Sequence, residues 1–245
     1  MTKVLQIRNQ TITSEKVITL LANYQMLPQF LRQVITDQAI ASFHCTPDEK
    51  INACQQFYET YQITSESERQ ELQDIYGMTL EELEALAMRE QKIEKFKRAT
   101  WERRLESYFL SRKSSLDKVI YSLVQTESMG VASELYFRLQ EGEESFSELA
   151  REHSQGSEAQ TGGLLGPVEL GKISSSLAQI LYASQPGQLL TPTRLGEWVV
   201  IVRLEKLIPA QLDEAMRQHL LNELFESWLQ EELVKLANDG SLLLN

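Results

Sequence analysis

The stretch Gly162-Gly163-Leu164-Leu165-Gly166-Pro167 decides how this chain is read, because of what surrounds it and in what order. A double glycine alone marks a turn in any fold. Upstream, Ser145-Phe146-Ser147-Glu148 has the spacing of a capping box and opens a short helix to about His153. Downstream come Leu170-Gly171-Lys172-Ile173, a helical run from Ser174 to Tyr182, the turn Pro186-Gly187-Gln188, and Leu195-Gly196-Glu197-Trp198. The last of these leads into Val199-Val200-Ile201-Val202, apolar at every position and so expected to lie centrally in the sheet. Farther upstream, Val119–Val124 reads as a strand and Ser128–Gln140 as a helix. Residues 116–208 therefore form an α+β unit that Pro209 ends.

The flanks read as helices. Residues 3–13 alternate like a short strand, Ser14 can cap a helix to about Tyr24, and Pro28 starts another to about Phe43. Thr46-Pro47-Asp48-Glu49 is a strong helix start: a capping hydroxyl, proline at the first helical position, and acids on the positive end of the dipole. Ser65 with Glu68 and Thr79 with Glu82 are further capping boxes, and Gly77 ends the helix between them. From Leu80 to Arg112 there is neither Gly nor Pro, which predicts one helix of roughly 50 Å. Leu83, Leu86, Ile93, Phe96, Trp101, Leu105 and Tyr108 give it an imperfect apolar stripe. A last amphipathic helix over 212–236 carries Met216, Leu220, Leu224, Trp228 and Leu233, a face too apolar to stand alone. It is expected to pack on the N-terminal helices, within one chain or in a swapped homodimer. The predicted domains are 1–115, 116–208 and a C-terminal helix at 209–245 that returns to the first.

Bulk properties exclude several functions. The 245 residues are 42% hydrophobic, enough for a real core. A net charge of −11 repels phosphate backbones, which argues against a nucleic-acid partner. His44, His153 and His219 are too scattered to be metal ligands, so neither metal nor other cofactor is expected. Cys45 and Cys54 are not a CxxC pair and read as reduced thiols. No G-x-S-x-G occurs, so a serine hydrolase has no support. The first residues, Met1 to Asn9, lack the apolar core of a signal peptide, and no apolar run has the roughly 18 residues that span a bilayer. On this reading the chain is cytoplasmic.

From Phe146 to Trp198 the order and spacing resemble the parvulin (PpiC-type, rotamase) family of peptidyl-prolyl cis/trans isomerases without an internal gap. The helical flanks resemble, by layout, the SurA/PrsA class of foldases, in which an all-helical chaperone domain carries a parvulin module. The resemblance implies an apolar substrate floor at Ile173, Leu177 and Tyr182, where the family usually has Met, Phe and Phe. It also implies that the polar half of the site has been replaced. The family's first histidine falls on Tyr121 in Tyr121-Ser122-Leu123-Val124, its second on Trp198, and its Cys or Asp on Gly156. Tyr121 and Trp198 are expected to neighbour each other on adjacent strands. His153 matches no site position and reads as a helix C-terminal residue.

Isomerising an X-Pro bond needs no metal and no covalent intermediate, only an apolar pocket that desolvates the amide and favours its twisted form. The expected function is accordingly a peptidyl-prolyl isomerase-like foldase for unfolded or proline-containing polypeptides, with a degenerate site of weak or absent activity. The alternative is a non-catalytic chaperone, or a peptide-binding accessory for precursor-peptide maturation or export.

Overall fold

The structure, a computed structural model, describes residues 5–7 and 10–238, which divide into two compact units. One comprises Met1–Leu105 with Arg217–Asn245, the other Glu106–Met216. Residues 3, 4, 8 and 9 of the expected N-terminal strand lie outside the described residues; β1 (Leu5–Ile7) and β2 (Gln10–Ile12) pair as an antiparallel ribbon.

In the first unit, α1 (Ser14–Asn23) begins at its expected cap residue, with Thr13 in the N-cap position instead, and α2 (Leu27–Ile40) follows. The helices α3 (Pro47–Thr60), α4 (Glu66–Tyr76) and α5 (Leu80–Ala87) each start at a capping box, on Thr46, Ser65 and Thr79. Gly77 closes α4 in the left-handed conformation. The single long helix expected from Leu80 is two: α5 ends at Ala87, and α6 (Arg89–Leu116) starts after Met88. Leu83 and Ala87 are buried in α5, and Ile93, Lys97, Trp101 and Leu105 in α6. Trp101 lies 18 residues, five whole turns, beyond Leu83, so the buried positions keep one face across the break at Met88. Arg89 at the start of α6 pairs with Asp37 of α2.

The helix α10 (Glu214–Asn238) buries Leu220, Leu221, Phe225 and Leu229. It packs on α6 through rings: Phe96 lies 6.1 Å from Phe225 and 5.0 Å from Trp228, and Trp101 lies 6.4 Å from each, centroid to centroid. Beside the rings Lys97, only 5% exposed, donates to Glu94 and Asn222 and stands over the face of Phe225. A buried ammonium needs such partners, because its desolvation is otherwise uncompensated.

The second unit contains a four-stranded antiparallel sheet in the order β4 (Leu164–Glu169), β3 (Lys118–Thr126), β6 (Trp198–Ile208), β5 (Thr193–Leu195). Successive side chains alternate faces, so Val199 and Ile201 pack with α7 (Met129–Glu141) and α8 (Phe146–His153). Val200 and Val202 pack instead with Leu177 and Leu181 of α9 (Ser175–Tyr182). Two covered faces are why the run is apolar throughout. Val119, Tyr121 and Leu123 share this face by strand alternation, and the register irregularity between Ile120 and Tyr121, which skips residue 205 of β6, brings Leu207 onto it with Leu204. Asp117 joins the ends of this unit: its carboxylate accepts from Lys113 and from the Ala210 amide just past β6, and its carbonyl accepts from the Leu170 amide.

The glycine pair works at close range. Gly163 has φ +81°, and a β-carbon there would stand 2.7 Å from the Leu123 carbonyl oxygen and 2.9 Å from Cβ of Ala150. Only glycine fits that approach without strain, and it lets Leu123 donate its amide to the Gly163 carbonyl at 2.9 Å.

Candidate functional site

One face of the sheet, with α9 across it, collects most of the residues singled out by sequence. Tyr121, Leu123, Val200, Val202 and Leu204 form its core with Leu177 and Leu181, while Ile173, Leu195 and Trp198 are half-buried around it. Tyr121 is 5% exposed. Burial, and then the negative charge of Glu158, push its phenol above the ordinary tyrosine value. At neutral pH Tyr121 is therefore a neutral hydroxyl that can donate, not a group that titrates as an imidazole would.

Tyr121 and Trp198 lie on adjacent strands but not beside each other. The partner of Tyr121 is Leu204, six residues along β6 from Trp198, or about 20 Å of strand. The cause is topology. In an antiparallel pair, residues early in both strands face opposite ends, and Tyr121 is fourth of the nine residues of β3 while Trp198 is the first of β6. The β3 residue that shares Trp198's end of this face is Gln125, paired with Val200.

Gly156 sits at that same end, in a loop laid along β3 by main-chain bonds: Gln155 donates its amide to the Gln125 carbonyl at 3.0 Å. The Ser154 hydroxyl accepts from the Gln125 amide at 3.0 Å and donates to the carboxylate of Glu158. Glu158, in the short 3-10 turn Ser157–Thr161, is 5% exposed. A β-carbon on Gly156 would fall 2.1 Å from Glu158 Oε2 and 2.2 Å from Gln125 Nε2. The carboxylate and the amide thus occupy the space into which a side chain at 156 would project.

The expected floor residues separate. Leu177 faces the sheet, whereas Tyr182, five residues on and 55% exposed, points away from it. With Ile173, Ala178 and Ser115, Tyr182 lines a groove of about 410 Å³ on the outer side of α9. Of the three expected floor residues, Ile173 belongs to both environments. Sequence reasoning passed over Glu158 and Gln125. The only signal was a lone acid inside a glycine-bounded loop, which reads equally well as a solvated loop residue.

Among the described residues no group of histidine, cysteine or acid side chains could hold a metal ion, and no helix is long and apolar enough to cross a membrane.

Residues 122–206 match the rotamase family, described as the PPIC-type PPIASE domain. No curated protein matches the sequence. Among solved structures, peptidylprolyl isomerase PrsA from Bacillus anthracis is 20% identical, with 88% of this chain and 99% of that one covered and a TM-score of 0.48. A structure of the SurA-like chaperones PEB4 and Cj1289 of Campylobacter jejuni is 17% identical over 100% of this chain and 99% of that one, with a TM-score of 0.38. The parvulin domain of PpiD from E. coli is 27% identical over 40% of this chain and 95% of its own, with a TM-score of 0.35. The likeness to the PPIC-type PPIASE (rotamase) domain covers residues 122–206, which hold most of the sheet and the helices on its two faces.

Proposed function

We propose that the chain is a foldase of the peptidyl-prolyl isomerase type, which binds unfolded or proline-containing polypeptide and isomerises it weakly. The planar amide resists rotation by about 18–20 kcal/mol because twisting removes its resonance. Lowering that barrier takes an apolar enclosure that strips water from the amide, plus polar groups placed for the twisted form. Ile173 and Trp198, half-buried against the core to which Leu123 and Leu177 belong, offer apolar surface for the enclosure. The polar groups are reduced, and this observation carries the proposal: position 121 is a buried phenol, 156 has no side chain, and 198 is an indole.

A second reading, a holding chaperone or an accessory to precursor maturation or export, is supported by a different feature. The helical unit has an open groove of about 730 Å³, lined by Ile51, Cys54, Tyr58 and Ile63 and edged by the Lys50–Glu84 pair. Titrating an unfolded, proline-containing polypeptide into the 15N-labelled chain separates the two. Amide shifts gathered at Leu123, Ile173 and Trp198 support the foldase. Shifts confined to residues 51–63 favour the holding chaperone, and no shift anywhere removes both.

A further inference from the structure

Glu158 is a buried carboxylate that accepts a hydrogen bond from Ser154. Its loop is held by the main chain: Ala159 donates to the Gly156 carbonyl, Gly163 to that of Glu158, and Gln155 to that of Gln125. Placing a carboxylate there at 5% exposure costs solvation that one serine hydroxyl offsets only in part. The side chain nevertheless folds back over the bare Cα of Gly156, opposite the Gln125 amide, with Tyr121 within reach of its charge. We propose that the Glu158 carboxylate takes the place of the missing side chain at 156 and is the charged group of the isomerase site, with Gln125 as its polar counterpart. This rests on the foldase reading above.

The chemistry is electrostatic, with no bond made or broken except the partial double bond that twists. A planar X-Pro amide carries partial negative charge on its oxygen and loses part of it as resonance is lost. A fixed negative charge beside that oxygen raises the planar forms relative to the twisted one, and in a site shielded from water it does so strongly. A carboxylate delivered from 158 serves this purpose as well as one delivered from 156.

The test is kcat/KM for a short prolyl peptide with the full chain, each variant checked by circular dichroism. Glu158→Gln keeps the shape and removes the charge, and Glu158→Ala removes both. Each should lower turnover on the order of tenfold, chiefly in kcat. Adding Gly156→Asp to Glu158→Ala returns a carboxylate to the same space from the other residue, and should bring turnover back to within about threefold of wild type. The rescue distinguishes a charge at the site from a merely structural glutamate. Should Glu158→Ala fail to fold, Glu158→Gln against wild type decides. Unchanged turnover in Glu158→Gln, or a double variant no better than Glu158→Ala, overturns the inference and leaves the foldase reading standing. A wild-type chain with no turnover overturns both.

Discussion

Replacing Gly163 by alanine should open the centre of the module, by an amount that the structure allows to be estimated against two other glycines. Gly142, Gly162 and Gly163 all have left-handed backbones, with φ of +72°, +65° and +81°. An alanine in that conformation costs about 1–2 kcal/mol at any of the three. Their surroundings differ. At Gly142 a new β-carbon meets nothing within 4 Å, so only the backbone cost applies. At Gly162 it comes within 2.2 Å of the Ser147 hydroxyl, the end of a side chain that can rotate away. At Gly163 it meets the Leu123 carbonyl at 2.7 Å, and that carbonyl belongs to a central strand that cannot move freely. Overpacking adds about 1–3 kcal/mol there. Because the chain has two units, a global melt is a poor readout, and hydrogen exchange at the Leu123 amide is better. That amide bonds to the Gly163 carbonyl. It should exchange about 5- to 150-fold faster in Gly163→Ala than in Gly142→Ala, at 1.4 kcal/mol per tenfold. Equal exchange in the two variants would refute the claim that the glycine pair is there to let the loop meet β3.

Asp117→Ala should destabilise the second unit by about 2–4 kcal/mol, because it removes two bonds to a buried carboxylate and leaves the Ala210 amide without its acceptor; exchange at Leu170 and Ala210 measures it. Lys97→Met should cost only about 1 kcal/mol, since the stem is kept and Glu94 still accepts from Gln218, whereas Lys97→Ala adds a cavity and should cost about 2–4 kcal/mol in denaturant unfolding. Glu49, Glu68 and Glu148 are held below the ordinary carboxylate value, the first mainly by Lys95, the second by the Thr64 amide and the third by the Ser145 hydroxyl. Their support of helix starts is complete above the unfolded value of about 4.5 and is lost as pH falls below it through the lowered folded values. Changing the three to Gln should flatten the acid limb of the far-ultraviolet circular dichroism, and an unaltered limb would mean the caps are not charge-assisted.

What could be read in the sequence followed from short-range rules. Thr46, Ser65, Thr79 and Ser145 cap helices because a hydroxyl and a glutamate three residues on satisfy each other's amides locally. Val199–Val202 announced a central strand because both its faces are covered. What could not be read depends on how distant elements meet. The break at Met88 has no local signal in Leu80–Arg112, which holds neither Gly nor Pro. The separation of Tyr121 from Trp198 follows from antiparallel register, which motif spacing does not carry. Glu158 meets Gly156 through a fold of the loop, and Tyr182 turns from Leu177 because only the Leu177 and Leu181 side of α9 meets the sheet.

The central claim is that the apolar enclosure persists while the polar half of the site is reduced. It is tested most directly by the isomerisation rate of a short prolyl peptide, measured by exchange NMR for this chain and for a parvulin that keeps both histidines, at equal peptide occupancy. Turnover at least ~10-fold lower in this chain, with binding retained, is the expected result, and corresponds to about 1.4 kcal/mol of lost preference for the twisted amide. Turnover equal to that of the histidine-bearing parvulin would contradict it.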